Sequence, residues 1–316
     1  KEKKKYKIKM NILNYFPSYP SINDENFYQE IFNKKEYRNL STPEQVSDTY
    51  TNHQLFVSRF ISPWTREQYK SVLLIHDTGT GKSASVSAIL NGLKQFDPNT
   101  KMLYITNNET LEANFKKELL RRCPYLEMRR RNFDGVERSF FRSEQISFNT
   151  FSSFANELSK SDMFGAMKRY RNYFIVLDEA HHLISESMNV YKAFHHFLHS
   201  LQGIRLCVMT ATPMRDNLLE AIYLLNLVIP QQKNLPVEEQ FVEEYLTSEN
   251  MNHLESYSVE KLENYTWKSE AKAKQFMNLI KGYISVFRQK ADDVDVSYMG
   301  KILKPMEYVP VVPDYF

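Results

Sequence analysis

Ser71-Val72-Leu73-Leu74-Ile75-His76-Asp77-Thr78-Gly79-Thr80-Gly81-Lys82-Ser83 decides the reading of this chain. A short apolar run enters a turn carrying two glycines, and the turn opens directly onto Lys82–Phe96, where apolar residues recur at helical spacing. Glycine is scarce, with only 8 in 316 residues, so two in one turn point to a local need. Backbone that wraps a phosphate closely leaves no room for side chains at Gly79 and Gly81. The N–H groups of Asp77, Thr78, Gly79, Thr80 and Gly81, together with the start of the helix, supply a positive field. Lys82 then reaches the β- and γ-phosphates, and the Ser83 hydroxyl is placed to ligate Mg²⁺. The full phosphate-loop pattern has glycine where this chain has His76, so the eight-residue form is not met literally. The expected ligand is a nucleoside triphosphate with Mg²⁺.

The same alternation continues outward. Met102–Thr106, Gln145–Asn149, Tyr173–Leu177 and Arg205–Thr210 read as short strands. Glu109–Arg122, Thr150–Leu158, Val190–Leu201 and Asp216–Leu227 read as the helices that follow them. Apolar strands alternating with helices predict an α/β fold with a parallel sheet covered by helices on both faces. The first 50 residues lack sustained periodicity and read as a lead-in. Residues 51–230 read as the nucleotide-binding domain, and 231–316 as a helical, polar extension without further strand–helix units.

Two other strand ends carry chemistry. Tyr173-Phe174-Ile175-Val176-Leu177 runs into Asp178-Glu179-Ala180-His181. Adjacent carboxylates there put Asp178 at the metal and leave Glu179 to orient or deprotonate the attacking water. Lys82, Asp178 and Glu179 are therefore the catalytic candidates. Thr210-Ala211-Thr212 ends the next strand, where small hydroxyls can bond the acidic pair and sense phosphate.

Composition excludes other classes. The chain is 42% hydrophobic with 21 Phe and 20 Tyr, too apolar for a disordered protein. No apolar run approaches the roughly 18 residues a bilayer span needs, so no membrane partner is expected. Two cysteines cannot form a disulfide framework, and the expectation is a soluble, intracellular protein. The net charge of +3 hides two basic patches, six lysines within residues 1–9 and seven arginines within 121–142. Such patches suggest a polyanion. Arg129, Arg130 and Arg131, flanked by Tyr125 and Phe133, are candidates for phosphate contact with base stacking. His195, His196 and His199 read as part of a packed amphipathic helix, among Phe194, Phe197 and Leu198.

Taken together, H-D-T-G-T-G-K-S, D-E-A-H and T-A-T-P-M, in that order, resemble motifs I, II and III of superfamily 2 helicases and translocases. A histidine opening motif I and the run Thr210–Asn217 are similar to the ATPases of large nucleocytoplasmic DNA viruses. These include the poxvirus nucleoside triphosphatase I and early transcription factor type and asfarvirus-like proteins. They are also similar to Snf2-type remodellers. The resemblance implies a RecA-like fold, a DEAH box, ATP hydrolysis coupled to tracking on DNA or RNA, and a role in viral transcription. Viral RNA polymerase or transcription-factor subunits would be the partners, and the cytoplasmic viral factory or the virion the location. By the same matching Gln54 reads the adenine base, and His181 with Thr210, Ala211 and Thr212 couples the acidic pair to motif III. Thr106 and Asn107, with Asn149 and Thr150, fall where the nucleic-acid backbone is contacted. The arginine motif of a second RecA-like domain does not occur after Pro230, where Arg288 is the only arginine beyond Arg215. The chain reads as the front half of a longer motor that binds ATP but hydrolyses it poorly alone. Other readings are a phosphate-loop NTPase that is not a motor, and a transcription-factor scaffold with a structural nucleotide site.

Overall fold

In the computed structural model, residues 19–40, 49–62, 69–160, 163–214, 219–248 and 265–288 are described. The lysine-rich start and Arg215–Asn217 lie outside them. Six strands form one parallel sheet: β1 (Ser71–His76), β2 (Lys101–Thr106), β3 (Ile146–Thr150), β4 (Tyr173–Leu177), β5 (Arg205–Thr210) and β8 (Ile284–Phe287). Their order is β3-β2-β4-β5-β1-β8. β6 (Leu246–Ser248) and β7 (Tyr265–Trp267) make a separate antiparallel pair.

The inner strands are apolar because both of their faces are covered. In β4 and β5 every residue after the first is buried, although successive side chains point to opposite faces. The edge strand β3 buries only Ile146 fully. Parallel connection brings every strand's C-terminal end to the same rim, so the loops after β1, β2, β3, β4 and β5 converge there. The helix Asn52–Phe60 packs on the phosphate-loop helix Lys82–Phe96, and the helix Leu219–Val228 covers β1 and β5. The lead-in joins this core. Phe27 and Ile31 are buried, and the Phe27 ring meets Tyr69 edge-on at 5.7 Å.

Two stretches depart from the sequence expectation. The segment after Pro230 is not helical throughout, because Ile284–Phe287 adds a sixth strand beside β1, in register from Leu73↔Ile284 to His76↔Phe287. Four residues with a half-buried pattern are too short for a periodic signal. Gly282 at φ +80 turns the chain into that strand against Ile22 and Phe27 of the lead-in. The arginine-rich loop holds two short helices, Pro124–Arg131 and Glu137–Ser143. Pro124 stands at the first turn of its helix, where its missing N–H costs nothing.

Candidate active site

The phosphate loop is held from below and from the side. Gly79 and Gly81 lie at φ +83 and +85, a region open to glycine and strained for other residues. A Cβ on Gly81 would sit 2.5 Å from Gln54 Nε2. Thr80 Oγ1 donates to the Asp77 carbonyl at 2.7 Å, and the Asp77 N–H donates to the Phe287 carbonyl at 3.1 Å. Lys82 Nζ donates back to the His76 carbonyl at 3.2 Å. Lys82 and Ser83 open the helix, whose first N–H groups have no partner within it.

His76, the residue that breaks the glycine pattern, is completely buried. Its Nε2 lies 3.1 Å from Ser285 Oγ in β8, and burial, with His53 and Lys82 nearby, pushes its pKa down to about 4. The ring is neutral at pH 7. A bulky residue is tolerated at this position because its side chain points into the β1–β8 seam.

At the end of β4 the acidic pair is fixed atom by atom. Asp178 Oδ2 accepts from the Tyr104 hydroxyl at 2.5 Å, and Oδ1 accepts the Glu179 N–H at 3.0 Å. Tyr104 is completely buried in β2 and stacks on Phe115 at 3.9 Å. Burial pushes the Asp178 carboxyl up to about 6, with the Tyr104 hydrogen bond and Lys82 opposing and Glu179 adding to the rise. Glu179 has φ +51, a conformation that costs a residue with a side chain roughly 1–2 kcal/mol. Its Oε1 comes 4.0 Å from Lys82 Nζ and its Oε2 3.5 Å from His181 Nδ1. His181 Nδ1 in turn lies 2.9 Å from Thr210 Oγ1 and 3.4 Å from Thr212 Oγ1, while the Thr212 N–H donates to Thr210 Oγ1 at 3.0 Å. A chain of polar contacts thus runs from Lys82 through Glu179 and His181 to the end of β5. Ala211 separates its two threonines.

The residues suit a Mg²⁺–triphosphate. The Asp178 carboxylate is buried without a full counter-charge, which is why its pKa is high, and a divalent cation held by it and Ser83 would supply that charge.

The other candidates divide. Thr106 and Thr150 are register partners at the C-terminal ends of β2 and β3. Thr106 is completely buried, so its side chain does not reach the surface, which corrects its expected contact with a strand. Its burial follows from the cover on both faces of β2, which is buried at every residue after the first. Asn107 and Thr150 remain on the rim, although the Thr150 hydroxyl also accepts the Ser153 N–H at 3.3 Å. Gln54 is 4% exposed and faces the phosphate loop.

Arg129, Arg130 and Arg131 lie at the opposite end of the sheet, apart from the motif loops. Arg129 Nε donates to Glu144 Oε1 at 2.9 Å. Glu144 precedes Gln145, whose carbonyl accepts the Met102 N–H where β2 begins. Arg130 donates to the Phe133 carbonyl at 2.7 Å, and Arg131 to Glu127 at 2.5 Å. Tyr125 and Phe133 are partly buried against the core. His195 Nε2 accepts from Asn234 Nδ2 at 2.6 Å and His199 Nε2 donates to the Asn226 carbonyl at 2.8 Å, as a packed helix requires. Sequence reasoning missed Tyr104, His53, Ser285 and Phe287. A tyrosine inside an apolar strand reads as core, and nothing in sequence ties residue 287 to residue 53.

With this geometry in place, residues 25–215 match the family model described as type III restriction enzyme, res subunit. The chain belongs to that family. Among relatives of this ResIII domain, a protein of Invertebrate iridescent virus 3 named as a helicase is 26% identical over 96% of this chain and 30% of its own length. A protein of Acanthamoeba polyphaga mimivirus named as an ATP-dependent RNA helicase is 25% identical over 86% of this chain and 48% of its own. The solved Sulfolobus solfataricus SWI2/SNF2 ATPase core in complex with double-stranded DNA aligns with a TM-score of 0.50 at 17% identity, over 79% of this chain and 47% of that one. This likeness establishes the RecA-like fold. The chain spans less than half the length of these relatives. Among the described residues no helix is long and apolar enough to cross a membrane.

Proposed function

We propose that this chain is the first motor domain of a superfamily 2 ATPase that tracks on nucleic acid. Lys82 holds the γ-phosphate, Ser83 and Asp178 hold Mg²⁺, and Glu179 orients or deprotonates the attacking water. The observation that carries this reading is convergence: two sequence motifs 97 positions apart bring Lys82 Nζ within 4.0 Å of Glu179 Oε1. That contact is a weak ion pair, and a γ-phosphate placed between the two groups would separate them. His181, Thr210 and Thr212 would pass that separation to the end of β5. DNA or RNA would cross the rim at Asn107 and Thr150.

Full turnover in this scheme requires a second RecA-like domain across the cleft. The viral relatives support a viral setting, and within it the proposed role is in transcription, with polymerase or transcription-factor subunits as partners in a viral factory or virion. The test is ATP hydrolysis by the chain carried within its full-length protein, with and without DNA or RNA. Stimulation by nucleic acid supports a motor. Equal turnover with and without it favours an NTPase that is not a motor.

A further inference from the structure

The resemblance gives the adenine edge to Gln54, but the Gln54 carboxamide is engaged inside the protein. Its Oε1 accepts the Thr51 N–H at 3.1 Å, and its Nε2 faces the carbonyls of Thr80 and Gly81 at 3.4 and 3.5 Å. A primary amide offers two donor and two acceptor positions, so one acceptor position is left, on a side chain 4% exposed. Reading the edge of a base takes a donor and an acceptor together, and Gln54 has no spare donor.

An aromatic pair lies beside it. The His53 ring lies flat on Phe287, with centroids 3.8 Å apart and planes 16° from parallel. His53 Nε2 is 3.2 Å from the Thr80 carbonyl. A carbonyl only accepts, so Nε2 carries the hydrogen and Nδ1 is left to accept from Thr51 Oγ1 at 3.0 Å. Burial holds the imidazole below its usual pKa, so the ring is neutral and stacks as an uncharged aromatic. Phe287 ends β8 opposite His76, and its carbonyl takes the first N–H of the phosphate loop. Its side chain is half-buried, between the exposed Val286 and Arg288. A triphosphate seated between Gly79 and Ser83 carries its nucleoside out over the border of this loop, and the His53–Phe287 pair is aromatic surface on that border.

We propose that Phe287, backed by His53, is the stacking platform for the nucleobase of the bound nucleoside triphosphate. The inference rests on the nucleotide reading of the phosphate loop. It assigns base binding to a strand that the sequence places more than 200 residues after the loop. Stacking uses the π-face that every base presents, so the platform senses that a base is there more than which base it is.

The test is calorimetric titration of the whole chain with ATP and with inorganic tripolyphosphate, for the parent, Phe287→Ala and Phe287→Tyr. Loss of the platform should weaken ATP binding about tenfold, within the range base–aromatic stacking supplies. Tripolyphosphate affinity should stay unchanged, and the tyrosine variant should restore ATP binding. Phe287→Leu, which keeps apolar bulk without a ring, replaces the alanine variant if that one does not fold. Unchanged ATP affinity without the ring overturns the proposal. So does equal weakening of ATP and tripolyphosphate, which would make Phe287 a support of the loop backbone. A parent that binds neither compound fails earlier, at the nucleotide reading, and takes this inference with it.

Discussion

The two ends of the parallel sheet carry charge in opposite ways. At the N-terminal end, Lys94 is completely buried, donating to the carbonyls of Glu144 and Pro98 at 2.7 and 2.9 Å and lying 3.7 Å from the Glu144 carboxylate. Arg129 takes the other oxygen of that carboxylate. At the C-terminal end the polar groups are held but not neutralised. Asp178 has a hydroxyl and an N–H but only distant cations, and Lys82 has a carbonyl and a carboxylate 4.0 Å away. The arginine cluster of residues 121–142 lies near the first end, and the candidate chemistry sits at the second. A charge that the fold already satisfies supports structure, and one that the fold positions and leaves unsatisfied is available to a ligand.

The largest expected effect lies at the second end. Glu179→Gln should cost about 10²–10⁴ in turnover of the full-length protein, the span general-base catalysis supplies, with ATP binding and melting temperature nearly unchanged. A variant with normal turnover would remove Glu179 from the chemistry. Lys94→Ala reverses the pattern. Breaking a buried ion pair by deleting one partner costs on the order of 3 kcal/mol, so the melting temperature should fall while ATP affinity holds. Equal loss of both would mean that the two ends are energetically one site.

Tyr104→Phe probes the second end more finely. The phenol stabilises the ionised Asp178 carboxyl, so its loss should raise a pKa already near 6. Protonation removes the charge that Mg²⁺ needs. Mg²⁺-dependent ATP affinity should therefore fall away at a higher pH than in the parent as pH is lowered from 8 to 5. Superimposed profiles would show that the phenol does not tune the carboxylate. The smallest effect belongs to the joint replacement of Arg129, Arg130 and Arg131 by alanine. Arg129 is exposed and Glu144 keeps Lys94 as a second partner, so the fold should survive, and ATP affinity should not move. If nucleic-acid binding loses roughly 0.7–0.9 in salt slope per arginine, that end of the sheet carries a strand as well.

What was legible in the sequence follows from physics that acts locally. The loop Asp77–Ser83 and the carboxylates after Leu177 announce themselves because an apolar strand must precede them and a particular residue type must follow. The five-strand series was readable for the same reason. β8 was not, since four half-buried residues carry no period and their place beside β1 depends on the lead-in packed under Gly282. Tyr104 was invisible because a buried phenol that bonds a carboxylate and one that fills space look alike in sequence. The partners of Arg129 and Arg130 were not legible, because Glu144 and the Phe133 carbonyl are brought to them by the fold.

Lys82, Ser83 and Asp178 together should form a site for a Mg²⁺–nucleoside triphosphate, and calorimetric titration with ATP, with and without Mg²⁺, decides whether they do. The parent should bind ATP and bind it more tightly with Mg²⁺. Lys82→Ala should weaken binding about 10–100-fold, the worth of a charge-assisted hydrogen bond, and Asp178→Asn should abolish the Mg²⁺ enhancement while both variants remain folded. ATP binding that is indifferent to Lys82, or Mg²⁺ enhancement that survives Asp178→Asn, would contradict the account.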